Sequence, residues 1–264
     1  MRKKIIIDVD LYGETNRKKI KMIQEEYWEN RAKEHGDTVK AVNNDLLAEQ
    51  LEYEEILKYI KKGDKVLDMG CGNGLLMQYL KGEVGCEIEG VELTKSLSKM
   101  ARKKGFKVFT CNSGDPFLSE EFGAEVFDVI ITKRLLVNLD DEDTGETFKN
   151  IKTMLKPNGK YLMVECFCEP LERTNDIRRK MRLPKIEVDK AHNHYLNQNI
   201  IEFVPMKLIE TNDFMSFYYL ISRTINAKMF EADYTSTLNL VSARMDTNVK
   251  GYAPEVMHIF KKND

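Results

Sequence analysis

The sequence predicts a doubly wound α/β domain on a mostly parallel sheet. Two patterns carry the prediction. From about residue 65 onward, short runs of aliphatic and β-branched residues alternate with helix-length segments. A glycine-rich turn follows the first of these runs and opens a helix. The length, 264 residues, suits one such domain with insertions.

Residues 1–15 form an extension of unassigned role. Residues 16–35 (NRKKIKMIQEEYWENRAKEH) are rich in helix formers and lack Gly and Pro, which predicts a helix. Extension and helix together, residues 1–44, are expected to form an N-terminal helical lid over a domain spanning 45–264. Within 45–61, Leu47, Leu51, Ile56, Leu57 and Ile60 approximate one helical face. After Gly63-Asp64 come a strand at Val66–Met69, a helix from Gly74 to Lys81, a strand at Glu87–Glu92 and a helix over Lys95–Lys104. A third strand is expected at Lys107–Thr110 and a fourth, rich in β-branched residues, at Val126–Thr132. A helix over Asp143–Leu155, a turn at Pro157-Asn158-Gly159 and a fifth strand at Tyr161–Glu165 complete the regular part. Residues 167–205 break the rhythm and read as a helical insertion, on the sheet edge where open α/β sheets bind ligands. Lys207–Glu210 and Glu255–Lys261 supply a sixth and a seventh strand, with a long amphipathic helix over Phe214–Met229 between them.

Composition narrows the function classes. Forty-one Lys and Arg against 43 Asp and Glu leave a net charge of −2, so no global field attracts nucleic acid or a membrane. Five scattered cysteines without repeated CxxC spacing argue against a disulfide framework or a zinc site, and no metal is expected. No stretch reaches transmembrane length, and the apolar run after Met1-Arg2-Lys3-Lys4 stops at Asp8, too short for a signal segment. The expectation is a cytoplasmic protein. The leading residues could pair with a second copy in a homodimer, a point the sequence leaves open.

Asp68-Met69-Gly70-Cys71-Gly72-Asn73-Gly74 lies between a strand and a helix. Glycines at alternate positions let the backbone turn tightly and let a ligand approach the main chain. Eighteen residues after Gly74, at the end of the second strand, stands Glu92, where a carboxylate can accept from both hydroxyls of a ribose. A dinucleotide fingerprint needs glycine at position 75, which is Leu75, and the Lys-Ser/Thr pair of a P-loop is absent. The loop therefore suits a nucleoside with a short tail that carries no phosphate.

On these residues the sequence resembles the class I S-adenosylmethionine-dependent methyltransferases, with their Rossmann-like fold. Val66–Gly74 resembles the first motif of that superfamily, Gly90-Val91-Glu92-Leu93-Thr94 the second, Phe127-Asp128-Val129-Ile130 the fourth strand and Leu155–Lys160 the turn before strand five. The likeness spans roughly residues 60–165 and is specific for the superfamily rather than the substrate. It implies S-adenosyl-L-methionine as cofactor. Gly70, Gly72 and Gly74 would line its methionine part, Asp68 would anchor the loop or the amino group, Glu92 would hold the ribose and Leu93 would cover the adenine. Where the family often has Gly-Asp-Ala, this sequence has Thr110-Cys111-Asn112-Ser113-Gly114-Asp115, so Asn112 or Asp115 would accept from the adenine amine, and Lys133, after strand four, is assigned to the cofactor. Tyr27-Trp28-Glu29-Asn30-Arg31 is similar to an N-terminal segment of several small-molecule methyltransferases, which implies Tyr27 and Trp28 folded over the cofactor and Arg31 paired with its carboxylate.

Methyl transfer from a sulfonium needs in-line placement and exclusion of water, plus a base when the acceptor is a hydroxyl. Of four histidines, His192 and His194 fall in the insertion and are the base candidates. Arg178 and Arg179 begin a stretch with five basic residues in eight, able to bind a phosphate. Tyr195, Tyr218 and Arg223 are further substrate candidates. The expected partner is a small, phosphorylated or sugar-nucleotide metabolite, loosely as in bacterial surface-sugar pathways, methylated at oxygen or nitrogen. The competing classes are an RNA or protein methyltransferase, which would want a broad basic face, and a non-catalytic cofactor-binding subunit. Thr132-Lys133-Arg134-Leu135 after strand four lacks the Pro-Pro-aromatic motif of DNA amine methyltransferases.

Overall fold

The computed structural model describes residues 14–188, 193–230, 233–245 and 247–263, with side chains from residue 21 onward. The helices are α1 (Glu14–His35), α2 (Leu46–Leu57), α3 (Leu75–Val84), α4 (Lys95–Lys103), α5 (Phe117–Phe122), α6 (Asp141–Met154), α7 (Cys168–Lys180), α8 (Ser216–Ile221), α9 (Ala227–Met229) and α10 (Thr237–Ser242). The strands are β1 (Lys65–Met69), β2 (Glu87–Val91), β3 (Val108–Phe109), β4 (Phe127–Lys133), β5 (Leu155–Cys166), β6 (Lys207–Asn212) and β7 (Glu255–Lys261). They form one sheet in the order β3-β2-β1-β4-β5-β7-β6. Only β7 runs against its neighbours, pairing antiparallel with both β5 and β6. The doubly wound, mostly parallel, seven-stranded expectation holds.

The central strands are covered on both faces, so they read as apolar runs rather than alternating ones. Side-chain alternation sends Leu67 and Met69 to a core shared with Phe127, Ile130, Phe148 and Tyr161. It sends Val66 to the opposite core with Ile56, Met77, Leu80 and Ile131. At the origin of the sheet's twist, β1 pairs with β2 (Asp68 beside Gly90) and with β4 (Asp68 beside Ile131). The order reverses at β1, which opens a crevice at its carboxyl end. Two helices that bound the crevice start on acidic caps. Asp45 accepts from the Ala48 amide at 3.1 Å, and Asp140 accepts from the Asp143 amide at 2.9 Å.

Two expectations were too regular. The long helix over Phe214–Met229 is divided: α8 gives way at Ser222–Asn226 to a wider, π-type turn before α9. There the Thr224 hydroxyl donates to the Leu220 carbonyl and competes with the helical ladder. Among its described residues the insertion is helical only in α7 and in a 3-10 turn at Gln198–Phe203. Between them Arg182 is left-handed (φ 57°) and Pro184 follows, which stops the helix. The short α5, between Pro116 and Gly123, has no periodicity long enough to read from sequence.

Candidate active site

The crevice at the carboxyl ends of β1, β2 and β4 has a volume of about 330 Å³. Its floor is the loop after β1. Gly72 (φ 55°) and Gly74 (φ 79°) are left-handed, a conformation costly for other residues. A Cβ on Gly72 would sit 3.0 Å from the Val42 side chain, and one on Gly74 would sit 2.8 Å from the Ala101 Cβ. Gly70 and Gly72 line the crevice, while Gly74 opens α3 behind it.

Glu92, at the end of β2, is 8% exposed. Its two oxygens accept from the Thr94 amide at 2.7 Å and the Gly72 amide at 2.9 Å, which ties the glycine loop to β2. The Thr94 hydroxyl also engages the carboxylate, and the lone pairs that remain can take a hydroxyl of a ligand. Burial pushes its carboxyl up from the usual range, against those backbone donors. Asp68 also lines the crevice. Burial, opposed by Lys133 and reinforced by Glu92, raises it to about 7. Leu93 is 43% exposed yet forms crevice wall beside Leu97 and Leu139, an apolar surface that a flat ring would cover.

α1 crosses the crevice. Trp28 lines it, meets the Tyr27 ring edge-on at 5.1 Å, and donates from Nε1 to Asn138 Oδ1 at 3.3 Å. Next to it Glu29 accepts from the Ser96 amide at 3.1 Å and the Ser96 hydroxyl at 2.5 Å, at the start of α4, where the helix dipole favours a carboxylate. Lys21 pairs with Asp143 at 2.7 Å on the far wall. Asn112 faces the crevice with its amide committed, donating to Asp143 at 2.9 Å and accepting from the Gly114 amide at 2.8 Å.

Lys133 lines the crevice, but its ammonium is held by Glu49 at 2.7 Å and Glu52 at 3.2 Å. Arg134 pairs with the same two carboxylates. This buried quartet joins α2 to the end of β4 and leaves neither cation unbalanced. Burial, opposed by Arg134, raises Glu52 to about 7, whereas the same cations hold Glu49 well below the carboxylate range against its burial.

A second cavity of about 240 Å³ adjoins the crevice and shares Trp28, Val42, Arg134 and Asn138 with it. Tyr27, Arg31, Asp45, Asn193, Arg223 and Tyr234 also form its wall. Arg31 therefore stands in the second cavity rather than beside the glycine loop. It donates to Ala41 O at 3.2 Å, to Asn44 Oδ1 at 3.0 Å and to Lys40 O, and among the described residues no carboxylate pairs with it. Arg223 is sandwiched between Tyr219 and Tyr234, 4.8 and 4.6 Å from their ring centres, and pairs with Asp45 at 2.7 Å. The Tyr218 hydroxyl donates to the other oxygen of Asp45 at 2.7 Å.

The remaining sequence candidates are dispersed. His192 lies outside the described residues. His194 is half-buried and lines neither cavity; its Nε2 has no hydrogen-bond partner, and burial lowers its pKa. Arg178 turns inward and donates to Pro184 O at 2.8 Å and to the Arg223 carbonyl, while Arg179 is exposed beside Asp176. Tyr195 packs on the core. Sequence reasoning missed Glu49, Asn138 and Asp143. The first carried a signal, an acidic residue on the apolar face of a helix; Asn138 interrupts an apolar run and Asp143 sits in an acidic one, neither with a pattern of its own.

A family model described as "Methyltransferase domain" matches residues 27–202, and the chain belongs to that family, in its class I, S-adenosylmethionine-dependent form. The chain is 25% identical over 119 residues to a phosphoethanolamine N-methyltransferase of Plasmodium falciparum, 44% of each protein. It is 32% identical over 114 residues to a ubiquinone biosynthesis O-methyltransferase of Coxiella burnetii, 39% of this chain and 46% of that one. It thus matches less than half the length of these curated relatives. Among solved structures it resembles geranyl diphosphate C-methyltransferase from Streptomyces coelicolor, with a TM-score of 0.59, 14% identity and coverage of 92% of this chain and 98% of that one. A TehB-like methyltransferase from Corynebacterium glutamicum gives 0.54, 17%, 90% and 99%. At such identities the likeness is one of fold.

The crevice fits the family's cofactor. A glycine bend whose added Cβ would meet its neighbours, a buried carboxylate with spare lone pairs and an exposed leucine wall match an amino-acid tail, a ribose and an adenine in that order.

Proposed function

We propose that the chain transfers a methyl group from S-adenosylmethionine to an oxygen or nitrogen of a small, phosphate-bearing metabolite held in the second cavity. The observation that carries the reading is the shared wall: a cofactor crevice and a polar, arginine-bearing cavity meet at Trp28, Val42, Arg134 and Asn138. The cofactor supplies a methyl group activated on a sulfonium. Gly70 and Gly72 admit its tail, Asp68 faces its ammonium, and Glu92 accepts from the ribose. Trp28 on α1 closes the crevice as a lid and excludes water. Arg31 offers the acceptor's anion a guanidinium charge not already neutralised by a carboxylate, its Nε and Nη2 being engaged by neutral oxygens. One group of relatives acts on phosphoethanolamine and another in ubiquinone biosynthesis, by their names, which is consistent with a small acceptor and leaves the metabolite to experiment.

Calorimetry with S-adenosylmethionine, S-adenosylhomocysteine and NAD tests the first half. The two sulfur compounds should bind and NAD should not; a preference for NAD overturns the reading. The second half is tested by adding small phosphorylated metabolites to the S-adenosylhomocysteine complex of wild-type and Arg31→Gln protein. Binding that survives this substitution unchanged removes Arg31 from the acceptor site.

A further inference from the structure

The helical hairpin that runs from the π-type turn at Ser222–Asn226 through α9 to α10 is patterned in the opposite sense to an ordinary surface helix. Its polar residues Ser222, Thr224, Asn226, Asn239 and Ser242 are buried. Its apolar residues Ile225, Met229, Phe230, Leu240, Val241 and Met245 are 39–65% exposed. Hydrogen bonds join the buried side. Asn226 Nδ2 and Asn239 Nδ2 both donate to the Asp233 carbonyl, at 3.0 and 3.2 Å, and the Ser236 hydroxyl donates to Asn226 Oδ1. The outer face therefore offers water on the order of 500 Å² of apolar side chain, a patch of the size that marks a contact surface.

A basic stretch lies against this hairpin. Residues 178–185 carry five basic residues and no acid, and none of them lines the crevice or the second cavity. The buried Arg178 guanidinium ties the stretch down, donating to the Arg223 carbonyl at the start of the hairpin and to Pro184 O at 2.8 Å. Arg179, Lys180, Arg182 and Lys185 stay exposed, as do Lys228 and Arg244 of the hairpin itself. Asp233, the hairpin's acid among the described residues, accepts from the Thr235 amide and hydroxyl at 2.8 Å each.

We infer that the hairpin and the basic stretch form one docking face for an anionic lipid bilayer. Apolar side chains flanked by lysine and arginine suit the boundary between headgroups and acyl chains. The cations add attraction to the negative surface potential of such a leaflet. Among the described residues no helix is long and apolar enough to cross a membrane, so the contact is with one surface. A second copy of the chain fits the face less well. The apolar patch falls short of the roughly 800 Å² that each partner of a stable complex buries, and a two-fold contact would bring the basic stretches toward each other. The hairpin also carries Arg223 and Tyr234 of the second cavity, so a docked molecule holds that cavity at the bilayer.

The test is cosedimentation of the full chain with vesicles of phosphatidylcholine alone and of phosphatidylcholine mixed equally with phosphatidylglycerol. The anionic vesicles should bind it about tenfold or more tighter than the neutral ones, and less so as salt is raised from about 0.1 to 0.5 M. The triple variant Lys180→Gln, Arg182→Gln, Lys185→Gln should weaken partition onto anionic vesicles about tenfold or more. The double variant Met229→Ser, Val241→Ser keeps every charge and should weaken it about tenfold as well. Both variants should keep the wild-type circular dichroism spectrum and affinity for S-adenosylhomocysteine. Equal binding to the two vesicle types, binding to neither, or unchanged partition in either variant overturns the inference. A dimer in solution that the double variant dissociates overturns it too, and assigns the face to a second copy. Vesicle binding needs no cofactor, so its failure leaves the proposed function to its own tests.

Discussion

Asp68 is a carboxyl that burial raises to about 7 at the point where the cofactor's ammonium would arrive. A cation there favours the charged form. Cofactor affinity should therefore rise with pH between about 6 and 8, and binding at neutral pH should release a proton. Calorimetry in two buffers of different ionisation enthalpy measures that proton, and its absence would remove Asp68 from the ammonium site. At Glu92 the expectation is simpler. Replacing it by Ala would take away the proposed ribose contact together with the tie between the Gly72 and Thr94 amides. Affinity for S-adenosylmethionine should fall about tenfold or more, read by titration of the variant.

At the scale of elements, α1 and α2 do different work. α1 meets the domain through Ala32, buried with Leu97, and through polar contacts on long side chains, with Glu29 reaching Ser96 and Lys21 reaching Asp143. Loss of the Glu29 carboxylate in Glu29→Ala removes a cap-like interaction of about 1 kcal/mol. Cofactor affinity should drop about fivefold with little change in melting temperature. α2 is bound instead by the buried quartet of Glu49, Glu52, Lys133 and Arg134. Glu49→Ala leaves two buried cations to share the single carboxylate of Glu52 and should cost about 3 kcal/mol of stability, visible in denaturant unfolding; a small loss would mean that water reaches the quartet. The sequence made the α2 helix legible through its apolar spacing, and the glycine loop with Glu92 through a contiguous motif, because those contacts are close along the chain. It could not show that Lys133 is taken by Glu49, 84 residues away, or that Arg31 opens into a second cavity. Both follow from how helices settle on the sheet. The predicted run of helix through Phe214–Met229 failed for a similar reason, since a threonine hydroxyl and packing on Asp45 reshape it locally.

Across the whole molecule, buried acids set the response to pH. Burial raises Asp68, Glu52 and Glu165 to about 7 each, with Glu165 Oε1 accepting from the Leu135 and Leu136 amides while Oε2 has no partner. In the unfolded chain such groups titrate near about 4. The folded protein therefore holds more protons between these values, and stability is full below about pH 4 from this source and declines as pH rises through about 7. The melting temperature of the cofactor-free protein should fall between about pH 4 and 7 and level off above that. Glu165→Gln, which cannot ionise, should flatten that fall; an unchanged slope would exclude Glu165 as a contributor.

Trp28 is the sole tryptophan of the chain, and it stands in the partition between the two chambers. The molecule consequently carries its own fluorophore at the place where both ligands meet. Indole emission excited selectively would come from that one ring, so loading of either chamber could be followed in real time without a label, and the order of arrival separated by stopped flow.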